Sequence, residues 1–136
     1  MVRMAKELHF SVSASKVKPP FEIDPTMLFY SPQETVDAFG HPRVSLHHKW
    51  VANDWEPPSG DPRIALIIPC TKFKPSPTSR EHRSINRSLI ADGWVPDGTG
   101  IPPLGLADAL DEGEDHRLLD VGTMIRKGVA LDRMVI

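Results

Sequence analysis

Cys70, Lys72, Lys74, Ser79 and His82 fall within 13 residues, and their types and spacing suit covalent chemistry. The thiolate is the nucleophilic form of cysteine, and nearby cations or a helix N-terminus favour it. A histidine at this distance can carry a proton, and a lysine can stabilise developing negative charge or hold a phosphate. Lys72, Lys74, Arg80, Arg83 and Arg87 stand against Glu81 alone, a local excess of four positive charges in a chain of net charge -2. That concentration suits a phosphate or another anion. Each feature also has a plainer reading. A single cysteine after an apolar run is often a small core residue. A basic run is often a solvated face, His82 can be a satisfied structural histidine, and Ser79 can simply cap the next helix.

The elements that position these residues follow from pattern. Ile64-Ala65-Leu66-Ile67-Ile68 is a continuous apolar run between Pro62 and Pro69, which predicts a fully buried strand of a parallel sheet. A loop over 69–80 follows, then a helix over 81–91 with Ile85, Leu89 and Ile90 inward and Gly93 after it. Strand, loop and helix make half of a βαβ unit, and in such sheets ligands bind beyond the carboxyl ends of the strands. Cys70 stands two residues past Ile68, at such a place. Upstream, Ser31-Pro32-Gln33-Glu34 writes a capped helix start, with Val36 and Phe39 as its apolar face and Gly40 as its end. Residues 1–20 read as a loosely anchored lead-in with a short strand near His9-Phe10-Val12. His47, Trp50, Val51 and Trp55 share a face at helical spacing. Trp94-Val95 opens a second strand, Pro103-Leu104-Gly105-Leu106 is a turn, 106–112 is a short helix, and Leu118-Leu119-Asp120-Val121 is another strand. The stretch 123–136 is apolar and basic and has no clear stop signal, which suggests elements missing at the C-terminus.

The segment also carries a family pattern. From about His41 to about Val121 the chain resembles the catalytic core of archaeosine synthase, a transglycosylase-related tRNA-modifying family. The pattern is Pro-Cys, three residues, Lys-Pro-Tyr, two residues, Ser, two residues, His. Here Pro69-Cys70, Lys74-Pro75, Ser79 and His82 stand at those spacings. Trp50-Val51 through Glu56-Pro57-Pro58 precedes the strand as in the family, and Pro103-Leu104-Gly105-Leu106 is similar to its Pro-Leu-Gly-Leu segment. Ser76 stands where the pattern has Tyr, and Ala107-Asp108-Ala109-Leu110 replaces the Pro-Arg-Glu continuation.

The resemblance implies an α/β fold with three layers and a mostly parallel sheet, similar to uracil-DNA-glycosylase-like domains. It divides the chain into an extension over 1–40 with a short helix and a core over 41–136. It implies a transferase that joins an amine such as lysine to the nitrile of a 7-deazaguanine base in tRNA or DNA. Cys70 would add to the nitrile carbon, His82 would move the proton, and Lys74 would stabilise charge, with Ser79 beside them. Lys72, Arg80, Arg83 and Arg87 would meet phosphate. The competing reading is a non-catalytic nucleic-acid-binding module or complex subunit that keeps the fold. Ser76 in place of Tyr, and the lack of room for a separate RNA-binding domain, favour it. A third reading is a fragment without independent function.

Composition narrows the field. The chain has 136 residues, 40% hydrophobic and 25% charged, the values of an ordinary single domain. Its 14 prolines predict many loops and short elements. With one cysteine there is no internal disulfide and no cysteine-cluster metal site, and a lone thiol suits a cytoplasmic protein. No apolar run approaches the roughly 18 residues of a membrane span. His41, His47 and His48 invite a metal reading, but no second cluster completes a site, so neither metal nor cofactor is expected. Asp108, Asp111, Glu112, Glu114 and Asp115 form an acidic stretch, read as a solvated loop or as a lysine- or Mg²⁺-binding site. Trp50, Trp55 and Trp94 read as core residues or as stacking platforms for bases.

Overall fold

The computed structural model describes residues 2–60, 62–100 and 106–136. The chain falls into two compact units: Met1–Glu22 with Gly60–Ile136, and Ile23–Ser59. This division differs from a boundary at residue 40.

The larger unit is built on a four-stranded sheet. Its strands are β1 (Arg63–Ile68), β2 (Val95–Pro96), β3 (Met124–Arg126) and β4 (Val129–Val135), in the order β1-β4-β3-β2. β1 runs parallel to β4, with Ile64 opposite Leu131 and Ile68 opposite Val135. The β2–β3 and β3–β4 pairs are antiparallel. The protein is therefore mixed α/β, and its sheet is mixed rather than mostly parallel. The cause is a hairpin. Lys127 and Gly128 both take positive φ, 50° and 77°, which a two-residue turn matched to strand twist requires. It reverses the chain between β3 and β4.

β1 also departs from expectation. It pairs with β4 alone, so it is an edge strand, and Ile64 and Ile67 remain 50% and 61% exposed. A continuous apolar run predicts burial only where neighbours cover both faces.

The α-helices among the described residues are α1 (Val2–Ala14) and α4 (Arg80–Ala91) in the larger unit and α2 (Pro32–Asp37) and α3 (Pro42–Lys49) in the smaller one. α4 places Leu89 and Ile90 against Trp94, Met124 and Leu131, the buried centre, joined by Leu66 and Val129. Burying side chains of this size stabilises by about 2 kcal/mol each. Trp94 is thus core, whereas Trp50 and Trp55 are exposed. The lead-in is the helix α1 rather than a short strand at His9-Phe10, because no Gly or Pro interrupts residues 2–14. Leu118-Leu119 lies in a 3₁₀ turn, His116–Leu119, rather than in a strand; the Asp115 carboxylate accepts from the Arg117 N–H at 2.8 Å and turns the chain. Leu106–Ala109 is likewise a 3₁₀ turn, and Pro103-Leu104-Gly105 lie outside the described residues. Gly100 and Gly122 meet back to back. A Cβ built on Gly122 would stand 2.4 Å from the Gly100 nitrogen.

In the smaller unit, Ser31 caps α2 as its sequence predicts, accepting from the Glu34 N–H at 3.1 Å. α2 runs on into a 3₁₀ turn that ends at Gly40. After α3, the π-helical turn Trp50–Asp54 closes with the Trp55 N–H donating to the Trp50 carbonyl at 2.8 Å, which breaks the helical spacing that would align His47 with Trp55. Ala38 is buried, while Val36, Phe39 and Trp50 stay exposed: about 40 residues enclose too little volume to cover them. Among the described residues, no helix is long and apolar enough to cross a membrane.

Candidate functional site

The site grows from the carboxyl end of β1. The Ile136 N–H donates to the Ile68 carbonyl at 3.0 Å, and the Cys70 N–H donates to the Ile136 main-chain oxygen at 2.6 Å, so Ile136 holds the backbone at Cys70. The thiol itself is exposed. Residues 71–75 then fold back, with the Thr71 hydroxyl donating to the Phe73 carbonyl at 3.0 Å. Lys74 is fixed from the other side. Its N–H donates to the Lys16 carbonyl at 2.9 Å, and its carbonyl accepts from the Lys18 N–H at 2.8 Å.

These anchors bring the Lys74 Nζ to 2.8 Å from the Cys70 Sγ. The same ammonium donates to the Thr71 carbonyl. An ammonium is a three-proton donor without an acceptor lone pair, so it can serve both groups at once. The charged donor thus faces the sulfur directly.

Ser79 and His82 arrive through α4. Ser79 is 1% exposed, and its Oγ accepts from the His82 N–H at 3.2 Å as the helix cap. His82, 5% exposed, donates its Nε2–H to the Pro69 carbonyl at 2.9 Å. A carbonyl can only accept, so Nε2 carries the proton in this bond. The histidine is therefore bound to the residue before Cys70, while the sulfur's hydrogen-bonding neighbours are Lys74 and the Thr71 carbonyl, to which the thiol donates at 3.5 Å. A cavity of about 320 Å³ opens here, lined by Pro69–Phe73, Glu81, His82 and Ile85. Its volume lies in the range of small-molecule sites, about 300–1,000 Å³.

The basic residues do not gather around it. Lys72 lines the cavity, with its Nζ 5.6 Å from the centre of the Phe73 ring. Arg80 is exposed at the start of α4. Arg83 is buried: it donates to the Thr78 carbonyl at 2.8 Å, and its Nε lies 3.3 Å from Glu114, close enough for an ion pair but misaligned for a hydrogen bond. Arg87 also pairs with Glu114. The Asp111 N–H, then the charges of Arg83 and Arg87, hold the Glu114 carboxyl below the usual carboxylate range. Part of the acidic stretch thus serves as counterions to two of the arginines expected to meet phosphate.

Sequence reasoning missed the support beneath His82. Arg133, buried on β4, donates to the Asn86 Oδ1 at 2.7 Å, the Asp120 carbonyl at 2.8 Å and the Asp120 Oδ1 at 3.0 Å. Asn86 in turn donates to the Leu118 carbonyl at 2.7 Å. Arg133, Asn86, Asp120 and His82 are among the residues that line a gap of about 20 Å³. The network joins β4, α4 and the 118–122 segment, partners far apart in sequence that no local periodicity reveals. Among the described residues, no three His, Cys, Asp or Glu side chains converge as metal ligands.

No protein-family model, curated protein or solved structure matches the chain.

Proposed function

We propose that the segment from Pro69 to Ile85 is the centre of a nucleic-acid-modifying transferase. It joins an amine such as lysine to the nitrile of a 7-deazaguanine base in tRNA or DNA. The observation that carries this reading is the 2.8 Å contact of the Lys74 Nζ with the Cys70 Sγ at a cavity of about 320 Å³. The spacing of Pro69-Cys70, Lys74-Pro75, Ser79 and His82 supports it. A three-layer arrangement akin to uracil-DNA-glycosylase-like domains belongs to the same reading.

The chemistry balances in two steps. The Cys70 thiolate, its proton given up to solvent, adds to the nitrile carbon, forming the C–S bond of a thioimidate, while the nitrile nitrogen takes a proton from the Lys74 ammonium, which solvent later reprotonates. The amine then adds to the same carbon, the C–S bond breaks, and the thiol returns with a proton from the amine, leaving an amidine. His82 acts as a positioning residue through the Pro69 carbonyl, and Ser79 holds the start of α4. Lys72 and Arg80, the exposed cations of the segment, meet phosphate. The nucleic acid, and a larger modifying complex, are the partners of this reading.

A second reading is a non-catalytic nucleic-acid-binding module. Ser76 in place of the family Tyr favours it, as does the His82 Nε2–H bond to the Pro69 carbonyl rather than to the thiol. Incubation with lysine and an RNA carrying the cyano-7-deazaguanine base, read by mass spectrometry of the nucleosides, separates the two. A lysine adduct lost in Cys70→Ser supports the transferase. Binding of the RNA without adduct formation supports the module.

A further inference from the structure

We infer that Cys70 and Lys74 are the two ends of a reversible oxidative cross-link, formed when peroxide oxidises the thiol and the lysine amine captures the product. The inference uses this side-chain pair alone and stands apart from the nitrile reading. Three observations carry it. The Lys74 Nζ lies 2.8 Å from the Cys70 Sγ. The thiol is exposed, so peroxide reaches it. Both backbones are held, Cys70 by Ile136 and Lys74 by Lys16 and Lys18, so the encounter needs no search. The chain has one cysteine, so no second thiol of its own can resolve an oxidised Cys70. The lysine nitrogen, once deprotonated, is the nucleophile in contact.

In the first step sulfur attacks a peroxide oxygen. The O–O bond breaks, sulfur loses two electrons, and the products are a sulfenic acid and water. In the second step the Lys74 ammonium gives one proton to solvent, and the resulting neutral amine attacks that sulfur. The S–N bond forms, the S–O bond breaks, and the departing hydroxide takes the amine proton and leaves as water. The product is a sulfenamide, the class of bond that sulfenic acids form with nitrogen. A small thiol reverses it by attacking sulfur and releasing the amine, and a second thiol frees Cys70 from the mixed disulfide. The link masks the thiol and protects it from irreversible oxidation to sulfinic acid.

Treatment of the full chain with hydrogen peroxide, then trypsin, reads the link directly. Trypsin cleaves after Lys72 but not between Lys74 and Pro75, so it separates residues 64–72 from residues 73–80. The expected result is a joined pair of these peptides, lighter by two hydrogens than their sum, which separates on reduction with dithiothreitol. Lys74→Met and Lys74→Arg lose the joined species and gain several-fold in trapping of Cys70 sulfenic acid by a 1,3-diketone. Circular dichroism confirms that each variant is folded. Oxidation of Cys70 with peptide 73–80 unmodified overturns the inference, as does equal diketone trapping in the native protein and Lys74→Met. Nitrile adduct formation on the reduced protein is scored separately, so either reading can fail alone.

Discussion

His82 donates its Nε2–H to the Pro69 carbonyl at 2.9 Å, tying the first turn of α4 to the residue before Cys70. The bond crosses the loop, so the position of Cys70 depends on a helix it does not belong to. His82→Ala leaves that carbonyl without its donor and opens space beside it. The expected cost is about 2 kcal/mol, read as a lowered urea midpoint. His82→Gln, whose amide can donate to the same carbonyl, recovers part of it.

The Asp120–Arg133 pair is buried on both sides, with side chains 7% and 4% exposed. Burial pushes the Arg133 pKa down, and Asp120 counteracts it. Asp120→Ala removes the carboxylate and leaves a buried guanidinium charge uncompensated, which costs about 3–5 kcal/mol. Asp120→Asn keeps an acceptor for the Gly122 N–H, 2.7 Å away, and so loses less. Urea titrations of the two variants give the order.

Gly122→Ala is expected to destabilise by about 1–3 kcal/mol, the usual cost of forcing a methyl group into filled space. The added Cβ meets the Thr99 hydroxyl at 2.8 Å and, at 2.4 Å from the nitrogen and 2.8 Å from the Cα of Gly100, backbone that cannot swing away. Thermal unfolding measures it. A midpoint equal to that of the native protein contradicts the close approach of these two segments.

Asp132 gives the fold a pH dependence. A bidentate bond from Arg63, at 2.7 and 2.8 Å, ties β1 to β4. That bond, then the Thr123 hydroxyl and the Arg63 charge, hold the Asp132 carboxyl below its ordinary value of about 3.9 despite its partial burial. The folded state therefore favours the carboxylate. Its stabilising contribution is present above about pH 4 and is lost as pH falls through the lowered value. Asp132→Asn is expected to lose about 1 kcal/mol or less at neutral pH. The gap from the native protein narrows on acidification, as followed by circular dichroism.

What the sequence made legible was local. Ser31 and Ser79 announced their caps, Trp94 its burial, and residues 81–91 their helix, because each rests on neighbours a few positions away. Sheet order was not legible. The apolar run 64–68 reads the same at a sheet's centre and at its edge, and the Lys127-Gly128 turn carries only a weak hairpin signal. In the candidate site the Cys70–Lys74 spacing of four residues was visible in sequence, but its contact needed Lys16 and Lys18 to fix the turn. Charge counting did not reveal that Arg83 and Arg87 pair with Glu114, which lies far along the chain.

The most direct test of the account is the intact mass of the reduced protein after incubation with the cyano-7-deazaguanine base in the absence of an amine. The account predicts one added base per chain, carried by Cys70, absent in Cys70→Ser, slowed at least tenfold in Lys74→Met, and released as an amidine when lysine is supplied. An unchanged mass in the folded native protein, or an adduct that persists in Cys70→Ser, contradicts it.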